Sequence, residues 1–207
     1  MKNLKRIGLA IGIIVAVVAI VAAVRRQQSI ERGTRLFSGC PQGIDRAATE
    51  AKGEFVCKGE PNPAPFAGNG RACGSCHMPG DGFGLSVKRI ATLPPTHPLF
   101  VELDEDPVKL RTDGLIHVID RDEDSIDEFR QTPKLVHLRE LCNASGECVA
   151  LGLLGDRETD LCQFSREAVV NHLSKTPDGI EGIDFVLPTD AECRDLIRYM
   201  RSNRVSR

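Results

Sequence analysis

Residues 73–77 read Cys73-Gly74-Ser75-Cys76-His77, and most of the chain's reading hangs on these five. A Cys-x-x-Cys-His run is the attachment signal for a covalently bound c-type haem: two thiols one short turn apart form thioethers, and the adjacent imidazole takes the iron. Two other chemistries also use paired cysteines. A thioredoxin-like Cys-x-x-Cys opens a helix directly after a strand, whereas the preceding Pro61-Asn62-Pro63-Ala64-Pro65-Phe66-Ala67-Gly68-Asn69-Gly70 reads as loop. A zinc ribbon needs a second Cys-x-x-Cys or a spaced His pair, and the other six cysteines offer neither. The run therefore predicts one covalent haem c on Cys73, Cys76 and His77, with His77 as an iron ligand.

Haem is attached to this motif on the outer side of the bacterial inner membrane, so the chain must carry an export signal. Met1-Lys2-Asn3-Leu4-Lys5-Arg6 is a positive lead, and Ile7 to Val24 is an unbroken run of 18 apolar or small residues before Arg25-Arg26. Eighteen helical residues span about 27 Å, close to a hydrocarbon core of roughly 30 Å and longer than the apolar part of a cleaved signal. Val21-Ala22-Ala23 resembles a cleavage site, but Arg25-Arg26 just beyond it disfavours processing. Residues 1–26 are read as an uncleaved single-pass anchor in the bacterial inner membrane. The N-terminus is placed in the cytoplasm, and residues 27–207 form a domain in the periplasm.

The chain has a formal net charge of -2 and no basic patch interleaved with aromatics, which sets aside a nucleic-acid partner. It has no Trp, one Tyr and eight Phe, an aromatic-poor inventory that suits a domain built around a large flat cofactor. Beyond Cys73 and Cys76 stand Cys40, Cys57, Cys142, Cys148, Cys162 and Cys193. An even set in an oxidising compartment predicts three disulfides, of about 15 possible connectivities. Closing the short loops gives Cys40–Cys57 and Cys142–Cys148, and leaves Cys162 to clip the C-terminal helix through Cys193. Five of these cysteines fall in two insertions, at about 40–70 and 140–163, and Cys193 lies on the C-terminal helix.

Ser29 to Phe37 has Ile30, Gly33 and Phe37 on one helical face. Near the other end, Thr189-Asp190-Ala191-Glu192 is a capping box that opens a helix carrying Cys193, Leu196, Ile197 and Met200. Gly33 and Phe37 on one helix, with Leu196 and Tyr199 on the other, would let the two backbones cross closely at Gly33.

With these pieces assembled, the chain resembles a c-type cytochrome: a Gly33-x-x-x-Phe37 helix, Cys73-x-x-Cys76-His77, and a C-terminal helix with Leu196 and Tyr199 stand in that family's order. More narrowly, the stretch from Arg71 onward resembles one haem domain of the di-haem cytochrome c peroxidase superfamily. The matching segments are Pro98-Leu99-Phe100, Arg111 to Ile116, Arg130-Gln131-Thr132-Pro133-Lys134-Leu135, and Phe164 to His172. The resemblance implies a mainly α, cytochrome c-like domain with crossed terminal helices around one haem, preceded by a single transmembrane helix. It also marks a departure. Those peroxidases carry two haems in one polypeptide, and this chain has one Cys-x-x-Cys-His, so a complete enzyme of that type is not expected.

The resemblance further implies the sixth iron ligand. In that family the residue four positions after the alanine of a Glu-Ala-Val helix supplies the distal ligand or its replacement, which here is His172, on a helix read as capped by Ser165. His117, in an apolar run read as strand or extended loop, is less favoured, as are His137 and His97. Met78 follows His77 too closely to reach around a ring, and Met200 reads as core. Arg71, Lys88 and Arg89 are candidate partners for haem propionates. Asp104-Glu105-Asp106 and Asp120 to Asp124 are acidic clusters that could steer a basic redox partner. The expected function is single-electron transfer between a membrane redox complex and another cytochrome or redox protein, with subunit status in a larger assembly as one form of it. The rival expectation is a peroxidase-like or ligand-sensing haem subunit with an accessible distal face. A third is an assembly protein with a structural haem.

Overall fold

The computed structural model describes residues 2–61, 64–100, 107–120, 126–136, 139–142, 148–151, 160–176 and 178–203. Helix α1 (Lys2–Ser38) is followed by α2 (Arg46–Lys52), two 3-10 turns (Cys73–Ser75 and Pro79–Asp81), α3 (Val87–Ile90) and α4 (Pro107–Asp113). Two antiparallel hairpins come next, β1 (Leu115–Asp120) with β2 (Ile126–Gln131) and β3 (Arg139–Cys142) with β4 (Cys148–Leu151). Then α5 (Leu161–Ala168) widens into a π turn (Val169–Leu173), and α6 (Asp190–Ser202) closes the fold. The architecture is mainly helical, as expected. The hairpins were foreshadowed only by the extended reading of Leu115–Ile119.

The apolar span and the Ser29–Phe37 segment belong to one helix of 37 residues. The reason is local: Arg25 to Glu31 contains neither Gly nor Pro, so nothing interrupts the i to i−4 ladder, and the rod runs for about 55 Å. Among the described residues α1 is the one helix long and apolar enough to cross a membrane. Its isoleucines and valines between Ile11 and Val24 are exposed.

The part of α1 beyond Arg26 crosses α6. A Cβ built on Gly33 would lie 2.1 Å from the Asp195 carbonyl oxygen and 2.9 Å from Tyr199 Cβ, so hydrogen is the only side chain this approach admits. The Phe37 and Tyr199 rings pack with centroids 5.0 Å apart. The capping box on α6 forms as expected, with Glu192 N–H donating to Thr189 Oγ1 at 3.3 Å and Thr189 N–H to Glu192 Oε2 at 2.9 Å. Disulfides Cys40–Cys57 and Cys162–Cys193 also form as expected, and each constrains the unfolded chain by about 3 kcal/mol. Cys142 and Cys148 stand opposite each other in the β3–β4 register. The loop between them lies outside the described residues.

A polar network fastens the crossing at its lower edge. Asp195 accepts from Ser29 Oγ, from Arg32 Nε at 2.6 Å and from Arg32 Nη2 at 3.1 Å, while Arg198 Nη1 donates to Ser29 Oγ at 2.9 Å. Burial pushes the Asp195 carboxyl up, but the hydrogen bonds from Arg32 and Ser29 and the charges of Arg32 and Arg198 together hold it below the ordinary carboxylate range. A carboxyl lowered by folding stabilises the fold above its unfolded pKa of about 3.9, and that stabilisation vanishes as pH falls through the lowered value. Asp195→Asn is expected to cost about 2 kcal/mol near pH 7. Urea midpoints of the two proteins should converge as pH falls through the lowered carboxyl pKa. A gap that does not change with pH would place its origin elsewhere.

The buried apolar residues divide into two clusters. One joins Phe37, Phe66, Leu135, Leu161, Val169, Leu173, Phe185, Leu196, Tyr199 and Met200; the other joins Met78, Leu85, Ile90, Leu93, Leu99 and Leu110. Met200 is core, as its position on the packing face of α6 predicts.

Candidate functional site

The five-residue run lies at the seam between these clusters. Cys73 packs against the first and Cys76 against the second. The turn is closed by Cys76 N–H and His77 N–H, which both donate to the Cys73 carbonyl, at 3.2 and 2.9 Å. Ser75 Oγ accepts from Ala72 N–H at 3.1 Å and fixes the entry. Cys73 and Cys76 remain thiols in a chain whose Cys40, Cys57, Cys162 and Cys193 are paired. Burial, reinforced by Cys76, pushes the Cys73 thiol up to about 12, so it holds its proton at neutral pH and is protected from thiolate oxidation.

His77 is held by backbone carbonyls. Its Nδ1 lies 2.9 Å from the Phe83 carbonyl oxygen, which can only accept, so Nδ1 carries the proton and Nε2 keeps the lone pair. Phe83 adopts φ +57, a left-handed conformation that costs a non-glycine residue about 1–2 kcal/mol. That backbone places one carbonyl where both His77 Nδ1 and Leu135 N–H reach it, the latter at 3.1 Å. Burial pushes the imidazole down to about 4, against the opposing pull of the Phe83 and Pro133 carbonyls. The ring is thus neutral across the physiological range, which is the form that binds a metal. Around it stand Phe37, with ring centroids 6.0 Å away, and through Phe37 the rings of Phe55 and Tyr199.

His172 sits on the π turn. The segment leading into Cys73 is tied to that turn: Asn69 Nδ2 donates to the His172 carbonyl at 3.0 Å, and Asn69 N–H to the Leu173 carbonyl at 2.8 Å. A Cβ on Gly68 would lie 1.7 Å from that same Leu173 oxygen. No family model, curated protein or solved structure matches the chain. The chemistry of the site is set by its own donors and by what surrounds them.

One local expectation is corrected. The helix leading to His172 is capped by Asp160, whose Oδ1 accepts from Cys162 N–H at 2.6 Å and Gln163 N–H at 3.2 Å. Ser165 lies inside α5 and bonds back to the Leu161 carbonyl at 2.7 Å. A carboxylate reaching two amides outcompetes a hydroxyl that has a carbonyl one turn behind it.

His97 has a local task. Its Nδ1 accepts from Leu99 N–H at 3.1 Å, which leaves the proton on Nε2, and burial lowers its pKa. His117 lies in β1, opposite Phe129. His137, Asp104 to Asp106 and Arg121 to Asp124 lie outside the described residues. Arg71, buried two residues before Cys73, donates to the Leu99 carbonyl at 2.7 Å. Arg89 donates to the Lys52 carbonyl at the end of α2 at 2.7 Å. Among the described residues no group of three or more His, Cys, Asp or Glu is placed to hold a metal ion. The Phe83 carbonyl and Asn69 escaped the sequence reading, because neither a left-handed Phe nor a loop Asn advertises a partner 6 or 103 residues away.

Proposed function

We propose that the chain is a membrane-anchored, monohaem c-type cytochrome that passes single electrons between a membrane redox complex and another redox protein, from the periplasmic face of the bacterial inner membrane. The observation that carries this reading is a Cys-x-x-Cys-His turn in which both cysteines stay thiols beside a neutral, carbonyl-anchored imidazole. Two thiols and one nitrogen do not enclose a bare ion, but they fit a macrocycle that brings four nitrogens of its own. Cys73 and Cys76 would hold the porphyrin edge, Nε2 of His77 the iron, and Arg71 a propionate. Haem, when bound, supplies a one-electron couple between ferric and ferrous iron. The residues around it contribute rigidity: the Phe83 carbonyl fixes the His77 tautomer and ring angle, and apolar side chains on both sides of the seam keep water away.

His172 is the proposed sixth ligand, supported by its place on a π turn hydrogen-bonded to the segment before Cys73; π turns are frequent at functional sites. With two imidazoles the iron would be low-spin and of relatively low potential. Export of the full chain in cells that mature c-type cytochromes is expected to give a coloured membrane protein heavier than its amino acids by one haem. A colourless protein of bare polypeptide mass would end the proposal. The reduced protein should not take up carbon monoxide. His172→Ala should, with a high-spin spectrum, and an unchanged low-spin spectrum in that variant would remove His172. Carbon monoxide uptake by the unaltered protein would favour the peroxidase-like or sensing alternative.

A further inference from the structure

We infer that the flank of α6 facing the base of α1 docks on anionic phospholipid headgroups. The apolar span of α1 ends at Arg25-Arg26, and Ser29 lies one turn above, about 6 Å along the axis. Arg198 reaches Ser29 at 2.9 Å, whereas Tyr199, the next residue, packs on Gly33 and Phe37 farther up α1. The side of α6 that carries Arg198 is therefore turned toward the span. Arg194 and Arg201 stand four residues before and three after Arg198, on the same flank.

All three are exposed, as are Arg25, Arg26 and Arg32 on α1. Two of the carboxylates near this face, among the described residues, are already engaged. Asp195 is buried and engaged by Arg32 and Ser29, and Asp190 pairs with Arg166 at 2.7 Å. Glu31, exposed on α1, accepts from Gln27 at 3.2 Å. The whole chain has a net charge of -2, so the positive surplus is a feature of this face and not of the molecule.

A lipid surface is favoured over an acidic protein by position. The face adjoins the end of the span, within the screening length of about 8–10 Å from headgroups at that level. Each arginine there strengthens attachment to an anionic leaflet roughly fivefold. The span alone lets the domain tilt; a basic face against headgroups would hold it to the surface and keep the seam with Cys73, Cys76 and His77 at one height above the bilayer. The inference needs α1 to cross a membrane and is independent of haem.

The test uses the full chain in nanodiscs of phosphatidylcholine alone or mixed with phosphatidylglycerol, with phenylglyoxal modification of each arginine read by mass spectrometry. Arg194, Arg198 and Arg201 are expected to react several-fold more slowly in the anionic discs, with the protection lost at high salt. Arg166, away from this face in the Asp190 pair, is the internal control. In R194Q/R201Q, which alters only exposed side chains, Arg198 should lose most of its protection. Equal reactivity in both lipids would overturn the inference. So would protection that appears only when a membrane extract is added, since that would make the occupant a protein.

Discussion

Gly33→Ala is expected to destabilise the folded domain by about 3 kcal/mol, the upper end of ordinary overpacking. The obstacle is backbone: the new methyl would lie 2.1 Å from the Asp195 carbonyl oxygen, which no rotamer change can move. α1 and α6 would have to separate, which loosens the Phe37–Tyr199 contact and the Asp195 network together. For a domain of this size the melting temperature should fall by roughly 6–12 °C, followed by circular dichroism in detergent. Because Phe37 also stands against His77, the loss should reach the site as a weaker hold on that imidazole. A melting temperature unchanged within error would mean the helices do not cross at Gly33.

Gly68→Ala is expected to be about as damaging, for a different reason. Its methyl would fall 1.7 Å from the Leu173 carbonyl oxygen, the acceptor for Asn69 N–H. Two hydrogen bonds between the loop and the π turn would be strained or broken, for about 2 kcal/mol in addition to the steric term. Asn69→Ala removes only the bond from Nδ2 to the His172 carbonyl and should cost about 1 kcal/mol. Under the proposed haem reading, Gly68→Ala should also raise the high-spin fraction, because it shifts the π turn bearing His172 relative to Cys73. If Gly68→Ala were no worse than Asn69→Ala, the close packing of loop on turn would be refuted.

The features readable in advance were those whose determinants lie within a few residues. The Cys-x-x-Cys-His run, the apolar span, the capping box at Thr189 and the crossing at Gly33 each carry a local pattern of spacing or residue type, and two of the expected disulfides form. That the apolar span and the Ser29–Phe37 segment form one continuous helix follows from helix propensity, which does not change at residue 26 although composition does. The cap falls at Asp160 and not at Ser165 because a carboxylate that reaches two free amides leaves Ser165 inside the helix, bonded back to Leu161. The hairpins were missed because strand pairing depends on a partner segment, and short apolar runs do not announce one.

By itself the sequence determined a long apolar helix, a Cys-x-x-Cys-His turn and two helices shaped to cross, because bond geometry and side-chain periodicity act over one or two turns. The tertiary structure alone decided which nitrogen of His77 is left with a lone pair, through a Phe83 carbonyl placed by a left-handed backbone. It also decided that Cys73 and Cys76 face different apolar clusters, and that Asn69 ties the segment before Cys73 to a turn 103 residues away. Such pairings depend on where burial brings distant groups together, and only the packed chain sets those distances.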